Sequence, residues 1–207
     1  MKIIYIMDPQ CGWCYGNSKN IQKVYDAYKD EIQFEFLVGG MWIGEQAPKG
    51  GTQTYQFMKQ HSPVMEQKTG ALVSTEFYEL AQDETYTFSS FEPALAITWI
   101  KKNAPEKTLA FISELQKAQF YFGQRFDDFK TYLTLLKNLD IDITKFMDSW
   151  GAEEDQKDTI TEINKARHLA KGFPSLVLEK TGGEIIELAA GYFDGDEMVD
   201  KVYGHTL

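Results

Sequence analysis

The chain opens with a short apolar, β-branched run, and a longer segment with apolar residues every three or four positions follows it. The first run, residues 2–7, is typical of a buried strand. Asp8 and Pro9 end it, because proline offers no amide to a sheet and keeps the residue before it extended. A second strand is predicted over residues 32–38. Helical spacing begins at Asn17, and its apolar face consists of Ile21, Val24, Tyr25 and Tyr28. Residues 1–38 therefore predict a β-α-β unit.

The middle of the chain has helical spacing throughout. From about residue 41 to residue 150, apolar stripes recur with helical periodicity. Prolines, glycines and short polar residues predict breaks between these helices at residues 48–51, 62–63, 103–105 and near 127. The stripes are typical of core-facing helices, so we interpret them as core and not as ligand-binding surface.

Strand character returns only near the end of the chain. A polar helix is predicted over residues 153–171, with Ile160, Ile163, Ala166 and Leu169 on its apolar side. Two short strands, at residues 175–179 and 184–190, flank a Gly-Gly turn and predict an antiparallel hairpin. A helix from about residue 194 to 203 closes the chain. The predicted fold class is therefore α/β, with the order β-α-β, a large all-helical insertion, then α-β-β-α. The predicted domains are a discontinuous one, residues 1–40 with 151–207, and the insertion, residues 41–150.

The chain's two cysteines both lie in Cys11-Gly12-Trp13-Cys14, at the first predicted strand-to-helix junction. We expect Cys11 at or just before a helix N-terminus, where unpaired amides and the helix dipole favour a thiolate. Cys14 lies one turn further on, at a spacing that lets the two sulfurs close a disulfide. We interpret them as a redox-active pair, with Cys11 the exposed, acidic thiol and Cys14 the shielded one.

The two cysteines allow two other interpretations. Both could be small buried hydrophobes, since free cysteine is among the most buried residue types. A zinc site would need about four ligands, but His61, His168 and His205 are scattered without the close spacing of a metal pair. No metal site is therefore predicted.

Composition narrows the classes of partner. The chain has 207 residues, 43% of them hydrophobic, which is enough for a substantial core. A net charge of -10 argues against nucleic acid or an anionic membrane as a partner, and no run of about 18 apolar residues predicts a transmembrane helix. Met1 runs directly into the first strand without a signal peptide. A cytoplasmic location is predicted if Met1 is the native initiator, although a chain trimmed of a leader would look the same.

The element order and the CxxC motif together resemble the thioredoxin fold interrupted by a helical domain, as in the DsbA superfamily. Residues 8–16, Asp-Pro-Gln-Cys-Gly-Trp-Cys-Tyr-Gly, are more specifically similar to its FrnE-like branch. That branch is related to 2-hydroxychromene-2-carboxylate isomerases and kappa-class glutathione transferases. Residues 90–94 and 172–178 also resemble recurring segments of the group.

The resemblance implies roles for particular residues. It makes Cys11 the nucleophile, Cys14 the resolving cysteine and Pro174 a cis-proline facing them. A cis-proline there would leave the Phe173 backbone free to pair with an extended substrate, and Gly12 and Trp13 would complete the substrate-binding residues. Without the CxxC motif, Pro174 would read as an ordinary strand-starting proline.

Two positions depart from the family pattern. Trp13 stands where DsbA has histidine and thioredoxin has proline. Trp13 brings no positive charge to a Cys11 thiolate, so strong oxidising power is not implied. Tyr5 stands where these relatives often bury a carboxylate for proton transfer. Asp8 is nearer to the cysteines, but before a proline it reads as an ordinary turn residue.

The primary hypothesis is a thiol-disulfide oxidoreductase acting on a protein or small-molecule thiol or disulfide, with a separate reducing or oxidising recycling partner. The Cys11-Cys14 disulfide is the only redox centre predicted, with glutathione as a candidate co-substrate. The first alternative is a glutathione-dependent isomerase or transferase, although those relatives usually have serine at the position of Cys11. The second is a non-catalytic binding module or chaperone that uses an apolar groove near Met41 and Trp42.

Overall fold

Residues 1–206, described here from a computed structural model, contain one four-stranded mixed sheet. Its strands are β1 (Lys2–Met7), β2 (Gln33–Val38), β3 (Ser175–Glu179) and β4 (Ile185–Ala190), arranged in the order β2-β1-β3-β4. β1 pairs in parallel with β2, and the β3–β4 hairpin is antiparallel and joins the other side of β1. The predicted strands and hairpin are confirmed.

Ten α-helices accompany the sheet in this described range. They are α1 (Gly12–Gly16), α2 (Ser18–Tyr28), α3 (Thr52–Thr69), α4 (Thr75–Gln82), α5 (Phe91–Asn103), α6 (Thr108–Phe120), α7 (Phe129–Asn138), α8 (Ile143–Ser149), α9 (Glu153–Leu169) and α10 (Gly195–Thr206). Helices α3 to α8 all lie between β2 and the α9-β3-β4-α10 segment, so the predicted α/β class and its element order, a β-α-β unit, a helical insertion and an α-β-β-α unit, are confirmed.

The apolar side chains form one large core cluster and two smaller ones. The large cluster extends from β1 and β2 into helices α5 to α8, where Ile3 and Tyr5 belong to the same cluster as Phe111 and Leu136. A second cluster brings side chains of α3, α4 and the end of α6 together around Phe77. The sheet and part of the insertion thus share a continuous apolar interior, while the predicted limits of the two domains remain predictions.

Helix α3 corrects one predicted break. The sequence predicted an interruption at Ser62 and Pro63, but α3 continues through Pro63 to Thr69. Pro63 is exposed, so solvent can hydrate the carbonyl group that its missing amide leaves unpaired. Burial of Met58 and Met65 on the inner face supplies the packing that keeps the helix continuous.

Helix α9 corrects one predicted face. The sequence placed Ile160 on the apolar side, but its side chain is 51% exposed. The buried residues are Asp155, Thr159, Ile163 and Ala166. This face is set by packing against α5 and β2, and Ile160 lies about 100° around the helix from its middle.

No helix among residues 1–206 combines the length and the apolar composition needed to cross a membrane.

Candidate active site

Cys11 occupies the position that caps the first turn of α1. Its backbone is extended, and its sulfur accepts a hydrogen bond from the Cys14 amide at 3.4 Å. The predicted position at a helix N-terminus is therefore observed. The predicted exposure is not, because only 7% of Cys11 is accessible. The Phe173 carbonyl oxygen lies 3.6 Å from the Cys11 sulfur, so the loop before β3 shields the thiol.

Cys14 is entirely buried one turn further along α1. Burial raises the pKa of its thiol well above the ordinary value of 9.0, and the hydrogen bond to Cys11 raises it further. Both cysteines are free thiols in this structure. The pair therefore combines one cysteine that retains a small accessible surface and one that is fully buried and whose thiol is held protonated.

The loop before β3 brings Phe173 and Pro174 to the cysteines. The Phe173–Pro174 peptide bond is cis, and the Phe173 carbonyl faces Cys11. The Pro174 carbonyl accepts a hydrogen bond from the Gly191 amide at 2.7 Å, and the Ser175 hydroxyl donates one to the Gly172 carbonyl at 2.7 Å. The first bond ties the loop to the residue after β4, and the second closes the loop on itself.

Gly12 and Trp13 lie at the rim of the cysteine pair. A Cβ atom on Gly12 would lie 3.8 Å from the Phe120 ring, so α6 approaches this side of the motif. Trp13 is 37% exposed, and its ring lies tilted against Tyr192, with 6.3 Å between centroids. The Lys68 ammonium lies 5.7 Å from the centre of the Tyr192 ring on α3's side. The accessible rim is therefore aromatic with one cation beside it.

Asp8 is more than the turn residue that the sequence suggested. Its Oδ1 does accept the Gln10 amide in a local turn at 2.9 Å. However, the residue is fully buried, Oδ1 also accepts the Ser90 hydroxyl at 2.8 Å, and Oδ2 accepts the Met41 amide at 2.6 Å. Burial raises the pKa of the Asp8 carboxyl, and these hydrogen bonds lower it by less. The turn interpretation is therefore incomplete, because its partners come from residues 33 and 82 positions away.

Asp8 affects the thiol of Cys14 in two opposite ways. The Asp8 amide faces the Cys14 sulfur and lowers the pKa of the thiol, whereas the negative charge of the Asp8 carboxylate raises it. Tyr5 lies on the same side, and burial followed by the charge of Cys14 raises the pKa of its hydroxyl well above the ordinary value. Cys14 thus lies beside a small set of buried ionisable groups.

The insertion supplies two polar contacts that sequence reasoning missed. Ser90 precedes α5 and donates to Asp8, and Gln116 of α6 donates to the Asp8 carbonyl at 3.2 Å. Ser90 lies in a segment whose family resemblance could have indicated a role. Gln116 gave no signal, because its contact depends on where α6 packs. Trp42 packs against Phe88 in the second core cluster.

Metal ligation finds no support in the described residues. Across residues 1–206, no three side chains of the metal-binding types gather closely enough to hold an ion.

The chain belongs to the thioredoxin family. The family model described as thioredoxin matches residues 4–184, which includes most of β1, the CxxC motif and the loop before β3. A search of curated proteins found no significant match.

Solved structures of the same fold cover almost the whole chain. A candidate protein disulfide isomerase from Nitrosomonas europaea is 19% identical with a TM-score of 0.85, over 99% of this chain and 98% of that one. The cytosolic disulfide reductase DsbM from Pseudomonas aeruginosa is 20% identical with a TM-score of 0.80, over 100% and 98%, and it has also been solved with glutathione. A 2-hydroxychromene-2-carboxylate isomerase matches with a TM-score of 0.65 at 13% identity, over 100% and 96%. At these identities the likeness establishes the thioredoxin fold with its helical insertion.

Proposed function

We propose that the protein is a thiol-disulfide oxidoreductase of the DsbA type that exchanges disulfides through Cys11 and Cys14. The observation that carries this proposal is the asymmetry of the pair. Cys11 caps a helix, keeps some contact with solvent and faces the Phe173 carbonyl, while Cys14 is sealed behind it. Membership of the thioredoxin family supports the same chemistry.

The first step is attack of the Cys11 thiolate on a substrate disulfide. A bond forms between the Cys11 sulfur and one substrate sulfur, the substrate S–S bond breaks, and the other sulfur leaves as a thiolate that takes up a proton. The first-turn amide of Cys14 already donates to the Cys11 sulfur. It therefore stabilises negative charge there before the substrate arrives.

The second step is resolution by Cys14. Its thiol loses a proton and attacks the Cys11 sulfur, the mixed disulfide breaks, and the second substrate sulfur leaves as a thiol. Two electrons have then passed from the dithiol to the substrate, and Cys11 and Cys14 form a disulfide. Burial holds the Cys14 proton tightly, so proton loss is the demanding part of this step. The negative charge of the Asp8 carboxylate, buried on the same side, also opposes this proton loss.

We assign substrate binding to the residues around Cys11. The Phe173 backbone, next to the cis bond, lies where an extended substrate segment would pair beside the disulfide. Gly12 and Pro174 would line that segment closely, and the exposed face of Trp13 would cover its apolar part. These roles follow from position beside the sulfur that reacts first.

We propose that the protein works as a reductase in the cytoplasm with glutathione as recycling thiol. Two glutathione molecules would reduce the Cys11-Cys14 disulfide and leave as oxidised glutathione. The cytosolic location of the structurally similar DsbM and its complex with glutathione support this direction. Trp13 adds no positive charge that would stabilise the reduced form and make the pair a strong oxidant.

The test is reduction of insulin disulfides and of a small disulfide, with glutathione as electron donor. We expect activity in the wild type, none in Cys11→Ser, and a single round of mixed-disulfide formation in Cys14→Ser. A surface variant, His61→Asn, serves as control and should retain nearly full activity. Conjugation of glutathione without disulfide reduction would favour the isomerase or transferase class. Suppression of aggregation that survives replacement of both cysteines by serine would favour a chaperone.

A further inference from the structure

Arg167 of α9 donates hydrogen bonds to the two residues that follow strand β2, Gly39 and Gly40. Its Nε donates a hydrogen bond to the Gly39 carbonyl at 3.1 Å, and its Nη2 donates another to the Gly40 carbonyl. These carbonyls are consecutive and lie just after β2, which ends at Val38. A guanidinium can make both bonds at once, because its donors form a rigid planar fork.

The Gly39–Gly40 turn has no room for a side chain at either residue. A Cβ atom on Gly39 would lie 2.0 Å from the Phe173 ring, so that ring rests directly on the glycine backbone. Gly40 has φ +61, a left-handed conformation that favours glycine, and a Cβ there would lie 2.8 Å from Ile163. The turn is therefore packed between the loop that faces Cys11 and the same helix that carries Arg167.

The Gly39–Gly40 turn is connected to the cysteine pair in two ways. Through Gly39 it supports the Phe173 ring, and the Phe173 carbonyl lies 3.6 Å from the Cys11 sulfur. Through the next residue, Met41, it donates a backbone amide to Asp8 Oδ2 at 2.6 Å. A displacement of this turn would therefore disturb both the loop over Cys11 and the carboxylate that acts on Cys14.

Arg167 also acts on Asp8 through its charge. Burial raises the pKa of the Asp8 carboxyl most strongly, and the positive charge of Arg167 is among the causes that lower it. The titratable groups on this side of the site are Arg167 from α9, Cys11 and Cys14 from the CxxC segment and Tyr5 from β1. The Ser90 hydroxyl and the Gln10 and Met41 amides that complete the shell of Asp8 are uncharged.

We propose that Arg167 is a positioning residue for disulfide exchange. By holding the Gly39–Gly40 turn, it keeps the Asp8 carboxylate and the Phe173 carbonyl in place at Cys14 and Cys11. The role in exchange rests on the proposed oxidoreductase function, whereas the effect on Asp8 belongs to the folded protein whatever its substrate.

The first test is the titration of Asp8, followed by the carbon-13 signal of its carboxyl group in the reduced protein. In Arg167→Gln we expect the midpoint to move to higher pH, because a neighbouring positive charge is lost. In Arg167→Lys, which keeps the charge, the midpoint should stay near that of the wild type. Lys165→Gln is the matched control, because it removes a cation from the same helix that pairs instead with Glu35. An unmoved midpoint in Arg167→Gln overturns the electrostatic part of the proposal.

The second test measures resolution directly. A coloured aromatic thiol is placed on Cys11 as a mixed disulfide, and its release reports attack by Cys14. We expect release to slow by about threefold or more in Arg167→Gln, since small misplacements of a reacting group are costly. Arg167→Lys should recover only part of the rate, because an ammonium cannot make the paired bonds. When the release rate is measured over a pH series, the change that Arg167→Gln causes in its pH dependence should disappear in a protein that also carries Asp8→Asn.

The outcomes separate the two proposals. Wild-type release rates in both Arg167 variants would overturn the positioning role. Failure of the wild-type protein to reduce any disulfide would overturn the proposed function, while the Asp8 titration would still decide whether Arg167 acts on the carboxylate. Should Arg167→Gln fail to fold, Arg167→Lys decides the question, and a fully wild-type release rate in that variant would contradict the need for two-point contact.

Discussion

Among single residues, Asp8 is the buried carboxyl group beside the cysteine pair. Its carboxyl is buried, and burial raises its pKa above the ordinary value of 3.8. In the pH range between that value and the raised value, the folded protein holds a proton that the unfolded chain has released. The contribution of Asp8 to the free energy of unfolding therefore falls as the pH rises through this range.

We expect Asp8→Asn to abolish this fall, because the amide does not titrate. The variant should also be less stable at every pH, by about 1–3 kcal/mol. In the wild type the Met41 backbone amide donates to the Asp8 carboxylate, and in the variant it would face the NH₂ group of asparagine, which cannot accept a hydrogen bond. Chemical denaturation over a pH series measures both effects. The exposed Asp148→Asn is the control, and an identical pH dependence in Asp8→Asn and the wild type would contradict the assignment.

The two cysteines should differ in their reaction with an alkylating agent. With limiting iodoacetamide at mildly acidic pH, we expect label on Cys11 first, because Cys14 is sealed and its proton is held tightly. Peptide mapping by mass spectrometry identifies the modified residue. Faster labelling of Cys14 would reverse the roles assigned to the two thiols.

The cysteine pair was readable from the sequence, but its surroundings were only partly so. A CxxC motif after a strand carries its own geometry, because three residues of helix fix the spacing of the sulfurs. The burial of Asp8 depends instead on Met41 and Ser90, which reach it from distant parts of the chain. Contacts of this kind leave no local pattern, which is why Asp8 read as a turn residue and Arg167 gave no signal.

Among the structural elements, the loop before β3 and the end of β2 meet in a tightly packed junction. The Phe173 ring lies over Gly39, where no side chain would fit. We expect Gly39→Ala to displace the ring, to destabilise the protein by about 1–3 kcal/mol and to slow disulfide exchange. Gly182→Ala, in the β3–β4 turn where nothing lies within 4 Å, is the matched control. Equal stability and rate in the two variants would show that the ring does not need this contact.

The limits of most elements followed from the sequence because they are marked locally. β1 and β3 begin and end where predicted, since Pro9 and the Gly-Gly turn stop them. The continuation of α3 through Pro63 and the exposure of Ile160 did not follow. Both depend on which face of a helix the neighbouring elements cover, and periodicity within one helix does not identify the neighbour.

For the whole molecule, the continuous core predicts cooperative unfolding. The largest apolar cluster joins β1 and β2 to α5, α6 and α7 of the insertion. We therefore expect these parts to unfold in one transition, with the calorimetric enthalpy equal to the van't Hoff enthalpy. Differential scanning calorimetry of the reduced protein measures this. Two resolved transitions would show that the insertion is an independent domain.

In the proposed reaction, Cys11 attacks a disulfide and Cys14 resolves the product. Intact-mass spectrometry distinguishes the two roles, after each variant is mixed with an equimolar disulfide substrate and quenched with acid. We expect Cys14→Ser to accumulate one mixed disulfide, mapped to Cys11, while the wild type converts to its internal disulfide and Cys11→Ser forms no adduct. An adduct that builds up on Cys14 in Cys11→Ser, or a Cys14→Ser protein that stays unmodified, would contradict the account.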